Sequence, residues 1–172
     1  MKIDIEKFVF KECSKEQLDD ILRIQEETFK NLEASELLRK NTPEMLLECL
    51  QPPHITLGAW YEGELAAFSV LYYPHTKEES LCDYLDNVDC LGLKDANYKL
   101  CIVKEKFRGN SLQYELEVRL EKYAVEAGVK ILCATASPHN IHSIKNIEKM
   151  GYSYNKTLNK YGLVRNLYYK FI

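Results

Sequence analysis

The residues best suited to chemistry lie between Val103 and Gln113, where a strand-like run gives way to a helix-like one. Backbone N–H groups in the first turn of a helix lack partners within the helix, and the helix dipole adds partial positive charge there. Such a junction attracts anions, and the guanidinium of Arg108 can donate paired hydrogen bonds to a phosphate. The segment therefore predicts a site for a phosphate or pyrophosphate group, although many junctions of this kind bind nothing.

A second polar segment lies downstream, after the apolar run that ends at Ala136. It contains Asn140, with Ser143 three residues later, and a further helix-like stretch then leads to Lys149-Met-Gly-Tyr152. The two segments together resemble the coenzyme A-binding motifs of the GNAT superfamily of acyl-CoA N-acyltransferases.

The first motif of that family has a Val, an Arg or Gln five residues later, and then small residues at two alternate positions. Val103 and Arg108 match it in type and spacing, and Gly109 matches the frequent Arg-Gly pair. Ser111 and Gln113 stand where the family usually has a Gly and a Gly or Ala, so this chain departs from the pattern there.

The resemblance implies an α+β fold with a mixed, mainly antiparallel sheet flanked by helices. Two central parallel strands, here residues 98–103 and 129–136, would splay apart to admit the pantetheine arm of the cofactor. The resemblance also implies that acetyl-CoA is the cosubstrate and that an amine of a small molecule or a protein receives the acetyl group. The expected cofactor-binding residues are Cys101, Ile102, Val103, Arg108, Gly109, Asn110, Ser111, Leu112, Gln113, Asn140, Ser143 and Asn146.

The acid–base groups do not follow from the resemblance. Family members often have a Glu where this chain has Asn97 and a Tyr where it has Ile147, and neither residue present here can exchange a proton. The amine must lose a proton before it attacks, and the leaving thiolate must be stabilised or protonated. Asp95, Tyr98 and Tyr152 are the first candidates for these roles, and Tyr154, Tyr161, His139 and His142 are further ones.

An acidic segment, residues 75–95, interrupts the regular pattern in the middle of the chain. It contains Asp83, Asp86 and Asp89 among six acidic residues, against only two lysines. One interpretation is a solvated surface loop. The alternative is a lid that attracts a cationic acceptor, such as a polyamine, an aminoglycoside or a lysine-bearing peptide.

Local signals around these segments predict the elements that position them. Ser14 and Gln17 have the spacing of a capping box, which predicts a helix to about Lys30. Thr42-Pro43 predicts the start of a second helix, and Glu62-Gly63 predicts the tight turn of a hairpin. Two further helices are expected at 111–127 and 140–150, each ended by a glycine, and two strands at 152–158 and 163–171.

The composition fits one soluble domain over residues 1–172, with a formal net charge of -3. That charge and the absence of a basic run disfavour nucleic-acid binding, and no long apolar run predicts a membrane span. Six cysteines without metal-ligand spacing favour free thiols in a reducing cytoplasm and no metal site.

Two functions remain open at this stage. The first is an acetyl-CoA-dependent N-acetyltransferase. The second is a catalytically inactive module that binds an acyl-CoA for regulation or interaction, which the residues at positions 97 and 147 favour. A nucleotide-binding protein of another kind is disfavoured, because neither GxxxxGK[ST] nor GxGxxG occurs. A homodimer is possible, because the apolar strand expected at 163–171 is suited to pairing with a neighbour.

Overall fold

The computed structural model describes residues 1–32 and 34–172, which form one seven-stranded sheet with four α-helices. The helices are α1 (Leu18–Lys30), α2 (Pro43–Cys49), α3 (Leu112–Glu126) and α4 (Ile141–Lys149). The strands are β1 (Val9–Glu12), β2 (Ile55–Tyr61), β3 (Glu64–Tyr72), β4 (Asp95–Val103), β5 (Ile131–Ala136), β6 (Ser153–Lys160) and β7 (Leu163–Phe171).

The local signals act as predicted at the ends of these elements. The capping box is present, because the backbone N–H of Ser14 donates to Gln17 Oε1 at 2.7 Å and the Ser14 side chain accepts in return. Thr42 Oγ1 caps α2 by accepting from the backbone N–H of Met45 at 3.2 Å. Glu62 and Gly63 both have positive φ, 49° and 82°, as the two-residue turn between β2 and β3 requires.

The sheet has the order β1-β2-β3-β4-β5-β7-β6, and β4 with β5 is its one parallel pair in the described range. This is the mixed, mainly antiparallel sheet that was expected. Helix α3 makes the crossover between the parallel strands. Strand β7 lies between β5 and β6, so the prediction that it could pair with a neighbouring subunit is wrong. The sheet edges are β1 and β6 instead.

Helices cover both faces of the sheet. Leu112, Leu116 and Leu120 of α3 and Ile147 of α4 pack in one core with inward side chains of β2 to β5. Ile21 and Ile24 of α1 pack with Leu46 of α2 against the other face of β3 and β4. Part of the acidic segment, a short 3-10 turn at Leu81–Tyr84, covers β5 and β7 on that second face. Both faces of the sheet are therefore covered by helices or loops.

The two central strands pair only along their first halves. Residues Asp95–Tyr98 are in register with Ile131–Ala134, and no pairing continues beyond them in the described range. Lys99 is the extra residue of an irregularity in β4, because Tyr98 is opposite Leu71 while Leu100 is opposite Val70. Beyond this point the strands diverge, which confirms the predicted splay.

Two further observations bear on the expected cellular setting. None of the described helices is long and apolar enough to cross a membrane. A disulfide joins Cys82 and Cys90, so the expectation of six free thiols is wrong for this pair. The acidic segment folds back on itself and places their Cα atoms 6.8 Å apart, within the range that a disulfide spans. The other four cysteines are free.

Candidate active site

A narrow cleft of about 70 Å³ occupies the splay between β4 and β5. It is lined on one side by Lys99, Leu100 and Cys101 of β4 and on the other by Thr135 and Ala136 of β5. Its lining also includes three of the predicted cofactor-binding residues outside the strands, Gln113, Asn140 and Ser143. The structure therefore brings the two sequence motifs together at the opening between the strands.

The loop after β4, residues 104–111, has the geometry of an anion site, and we call it the phosphate loop. Gly109 and Ser111 have positive φ, 83° and 59°, and they turn the chain sharply into α3. In the part of the chain that the structure describes, no side chain caps the first turn of α3. Its backbone N–H groups therefore remain available to a ligand, together with the partial positive charge of the helix end.

Arg108 is the exposed arginine of this loop. Its side chain is exposed and lines a surface cavity with Lys104 and Lys106. Both lysines are paired with Glu64, at 2.8 and 2.6 Å, whereas Arg108 has no carboxylate within 4.0 Å in the described range. Arg108 is therefore the cation of this group that is best able to bind a phosphate.

Asn110 lies in the same loop but points its side chain inward. Its Oδ1 accepts from the backbone N–H of Ile3 at 2.7 Å, and its Nδ2 donates to the carbonyls of Phe107 and Met1 at 2.9 and 3.2 Å. The side chain therefore ties the N-terminus of the chain to the loop, and only the backbone of Asn110 is left for the predicted contact with a cofactor.

Side-chain amides of α4 and its cap contact the first turn of α4 and the start of α3. Asn140 caps α4 by accepting from the backbone N–H of Ser143 at 3.2 Å. One turn later, Asn146 Nδ2 donates to Gln113 Oε1 at 3.0 Å. The Gln that departs from the family pattern is thus held in place by α4, at the wall of the cleft.

A second, wider cavity of about 340 Å³ continues the cleft on the side away from the phosphate loop. The two share five lining residues at the splay, namely Arg39, Tyr98, Lys99, Thr135 and Tyr161. Its other walls come from α2, the end of β3, the acidic segment and the β6–β7 turn. These contribute Met45, Glu48, Tyr72, Glu78, Glu79, Leu81, Tyr84 and Lys160, and Asn97 of β4 lines it as well. We call this space the acceptor cavity.

Asn97 and Asp95 differ in their access to the acceptor cavity. Asn97 lines it; its Nδ2 donates to the carbonyl of Glu79 at 2.8 Å, while its Oδ1 has no hydrogen-bond partner among the described residues. Asp95 is not part of the lining, and its Oδ2 accepts from Ser80 Oγ at 2.7 Å. The structure therefore gives Asp95 a structural contact and places Asn97 where a substrate would lie.

The hydroxyls of Tyr98 and Tyr152 are fully buried beside the Glu117 carboxylate of α3. Burial raises the pKa of Glu117 well above its ordinary range, against the opposing effect of the two tyrosine hydroxyls. Burial also raises the pKa of both tyrosines. Tyr98 lines the cleft, but its hydroxyl, like that of Tyr152, is enclosed in the core, and this placement does not favour the predicted catalytic roles.

A cluster of Glu48, His54 and His75 lies beside the acceptor cavity. The Nε2 atoms of the two imidazoles are 3.2 Å apart, and they lie 3.6 and 3.4 Å from Glu48 Oε1. Three such atoms within 4.8 Å of one another have the spacing of metal ligands. The backbone N–H of Tyr73, however, donates to His54 Nδ1 at 3.0 Å, which leaves the ring proton on Nε2.

That tautomer disfavours a metal, because a ligating histidine normally coordinates through a bare nitrogen and donates from the other one. Burial lowers the pKa of His54, so its ring is held neutral. The Nε2–H of His54 then donates within the cluster. Glu48 also accepts from the Tyr72 hydroxyl at 3.0 Å, and His75 is half exposed. The cluster therefore places a half-exposed carboxylate and a half-exposed imidazole together at the edge of the acceptor cavity.

The acidic segment covers the acceptor cavity, but not with the aspartates that sequence analysis selected. Asp83, Asp86 and Asp89 are exposed and lie outside the lining, and Asp86 pairs with Lys156 at 3.0 Å. The residues of this segment that reach the cavity are Glu78, Glu79, Leu81 and Tyr84. The predicted attraction of a cationic acceptor by these three aspartates has no support in this geometry.

Sequence analysis missed the cationic residues of the acceptor cavity. Arg39, Lys99 and Lys160 are far apart in the chain, and no motif joins them. Lys99 alone could have been identified from the sequence, because it lies two residues after Asn97 in the strand before the phosphate loop.

Comparison with known proteins agrees with this geometry. The family model described as the acetyltransferase (GNAT) family matches residues 18–152. Among solved structures, Arabidopsis thaliana NAA60 in complex with a bisubstrate analogue is similar with a TM-score of 0.75 and 16% identity, over 96% of this chain and 99% of that one. The yncA protein of Salmonella typhimurium, solved with its cofactor acetyl-CoA, has a TM-score of 0.72 and 14% identity, over 96% and 94%.

A ribosomal-protein-alanine N-acetyltransferase from Brucella melitensis has a TM-score of 0.72 and 18% identity, over 95% of this chain and 99% of that one. At such identities these structures establish the common fold and no more. Among curated proteins, no sequence match is found. The family match covers more than three quarters of the sequence and includes both motifs, and the chain belongs to the GNAT acetyltransferase family, which uses acetyl-CoA.

Proposed function

We propose that this chain is an N-acetyltransferase that transfers the acetyl group of acetyl-CoA to an amine bound in the acceptor cavity. The observation that carries the proposal is the meeting of the two cavities at the splay, where they share Tyr98, Lys99 and Thr135. A ligand anchored at the phosphate loop and passing between β4 and β5 would present its far end to a second ligand there. The activity is proposed for residues 1–172 as a single domain.

The cofactor supplies an activated acetyl group as a thioester when it is bound. The chain itself supplies the phosphate loop and the backbone groups of residues 99–103, which have no strand partner on the β5 side in the described range. A backbone N–H near Lys99, where the two cavities meet, is suited to stabilise negative charge that develops on the thioester oxygen. Positioning of two reactants accounts for a large part of the barrier reduction in such reactions.

The amine must be neutral when it attacks, and Asn97 cannot accept its proton. Glu48 is the carboxylate that we assign to this role, because it lines the acceptor cavity and contacts an imidazole that reaches solvent. A proton taken by Glu48 would leave to solvent directly or through His75, and the coenzyme A thiolate released from the thioester would take its proton from solvent. Tyr98 and Tyr152, the earlier candidates, have no part in the proposed mechanism, and neither has Asp95.

We also propose a cytoplasmic location, which the four free thiols favour and the Cys82–Cys90 disulfide does not.

The test is calorimetric titration with acetyl-CoA, followed by a thiol-release assay against a library of amines. We expect binding by the natural protein, and about tenfold weaker binding by Arg108→Ala, because one charge-assisted hydrogen-bonding group is lost. Arg23→Ala is the matched control, since Arg23 is an exposed arginine on α1 that pairs with Asp20. Equal affinities of all three proteins would contradict the assignment of the phosphate loop.

A second function is favoured by the two residues at which this chain departs from the family. Asn97 and Ile147 stand where an acid or base is common, so an acyl-CoA-binding module without chemistry has a specific basis. Binding of acetyl-CoA without thiol release from any amine would support that alternative. Binding with turnover would support the enzyme.

A further inference from the structure

Three cationic side chains line the acceptor cavity, and a fourth, Arg165, lines the adjoining cleft. Arg39, Lys99, Lys160 and Arg165 come from the loop before α2, from β4, from the end of β6 and from β7. Within the described residues, none of the four has a carboxylate oxygen within 4.0 Å. Lys104 and Lys106 of the phosphate loop, by contrast, share Glu64 as their partner.

Arg165 is the most unusual of the four because it is buried. It is 3% exposed, lines the cleft, and donates from Nη1 to the carbonyl of Glu36 at 2.8 Å. A guanidinium has five N–H donors, and a buried charge is costly unless an opposite charge compensates for it. Burial lowers the pKa of Arg165, Tyr161 opposes that effect, and the neighbouring Arg39 adds to it. None of the described residues provides a carboxylate to compensate for the charge of Arg165, so a bound anion is suited to this place.

Aromatic rings hold the other three cations in place. The Arg39 guanidinium stacks 3.7 Å from the centre of the Tyr161 ring, the Lys160 ammonium lies 3.9 Å from that of Tyr84, and the Lys99 ammonium 4.2 Å from that of Tyr72. Cation–π contact fixes the position of a charge without neutralising it. Lys160 Nζ also donates to the carbonyl of Glu78 at 2.7 Å, and the remaining N–H donors of the three side chains stay available to a ligand.

The carboxylates on the same walls are already engaged elsewhere. Glu48 accepts from the Tyr72 hydroxyl and contacts both imidazoles of the histidine cluster. Glu79 Oε2 accepts from the backbone N–H of His75 at 2.7 Å. Glu78 is exposed at the rim. None of their oxygens lies within 4.0 Å of the four cations in the described range, although Glu48 and Glu79 act on Lys99 over a longer distance.

We propose that the acceptor is a small amine that also carries a carboxylate, which these four cations bind while Asn97 accepts a hydrogen bond from the amine. This inference rests on the proposed function and adds a substrate class to it. The forked donors of Arg39 and Arg165 match the two oxygens of a carboxylate. The unpartnered Oδ1 of Asn97 supplies the complementary acceptor, and a cavity of about 340 Å³ suits a molecule of amino-acid size.

The experiment measures thiol release with the twenty common L-amino acids, each compared with its carboxamide and with the amine that lacks the carboxylate. We expect at least one amino acid to have a kcat/KM more than tenfold above that of its carboxamide. Arg39→Met and, separately, Lys99→Met should raise the KM for that acid about tenfold and leave the KM for the carboxamide within about twofold.

Lys122→Met, an exposed position on α3, is the control and should change neither value. Acetyl-CoA affinity and the thermal unfolding midpoint of each variant show whether it is folded. Equal or faster turnover of the uncharged partners, turnover of no amino acid, or retention of the acid preference by both variants would overturn the inference alone. Failure of the natural protein to bind acetyl-CoA would overturn the proposed function as well, so the two failures are distinguishable.

Discussion

The two ends of the cleft are built in different ways. At the cofactor end, Cys101 to Gln113 form one continuous segment, and α4 adds Asn140, Ser143 and Asn146. At the acceptor end, the walls come from segments that are separated by most of the chain, such as those around Arg39, Glu79 and Tyr161. A continuous segment keeps its geometry through local turns and a helix end. A wall assembled from distant segments can change one residue at a time, so this end is suited to define the acceptor.

The largest expected effect concerns Asn110 at the cofactor end, whose side chain we expect to be needed for folding rather than for binding. Asn110→Ala removes two hydrogen bonds that join the loop to Met1 and Ile3 and a third, to Phe107, within the loop. We expect the free energy of unfolding to fall by about 2–4 kcal/mol, because buried backbone groups lose their partners. Urea unfolding measures this change.

Asn159→Ala, at an exposed position of β6, is the control and should change the same free energy by less than about 0.5 kcal/mol. A similar small loss in Asn110→Ala would mean that the loop keeps its shape without this side chain.

A substitution at the acceptor end should affect catalysis and leave cofactor binding intact. Glu48→Gln keeps the size of the side chain and its contact with the Tyr72 hydroxyl but cannot accept a proton. We expect kcat/KM for the acceptor to fall about 100-fold, in the range of a lost general base, with the acetyl-CoA affinity unchanged. Glu44→Gln, on the exposed side of α2, is the matched control. Undiminished kcat/KM in Glu48→Gln would remove the assigned proton acceptor.

The smallest expected effect concerns Glu117, which lies beneath the cleft between the two ends. Burial raises its folded-state pKa above the ordinary value of 4.5, so the folded protein binds this proton more tightly than the unfolded chain does. Stability is therefore lost as the pH rises above 4.5 and the carboxyl must either stay protonated or ionise in the core. Tyr98, Tyr152, Glu121 and Lys170 are the titratable groups that act on it.

Glu117→Gln carries no such proton, so its stability relative to the natural protein should increase with pH. Urea midpoints at pH 5 and pH 8 measure this, and we expect the variant to gain on the natural protein by about 1 kcal/mol or more between them. If the difference in stability between the two proteins does not change with pH, Glu117 has the same pKa in the folded and unfolded states, and the prediction is wrong.

The same contrast explains what the sequence could predict. Capping at Ser14 and Thr42, the turn at Glu62-Gly63 and the loop at Arg108 depend on neighbouring residues, so short patterns were sufficient. The arrangement of Arg39, Lys99 and Arg165 depends on how distant elements pack. The inward turn of Asn110 depends on a contact with Ile3 at 107 residues' separation. No local spacing carries such information, and the interior position of β7 was misjudged for the same reason.

The unpaired strand edges in the splay predict that acetyl-CoA stabilises the folded protein. Beyond Tyr98 and Ala134, the facing edges of β4 and β5 have no partner strand in the described chain, and only water can satisfy their amide groups before a ligand enters. A pantetheine arm that pairs with those edges would serve as a missing strand. At a cofactor concentration 100 times its Kd, the folded state would gain about 2.7 kcal/mol. Thermal unfolding with and without acetyl-CoA measures this gain, and a cell short of acetyl-CoA would lose the protein to proteolysis sooner.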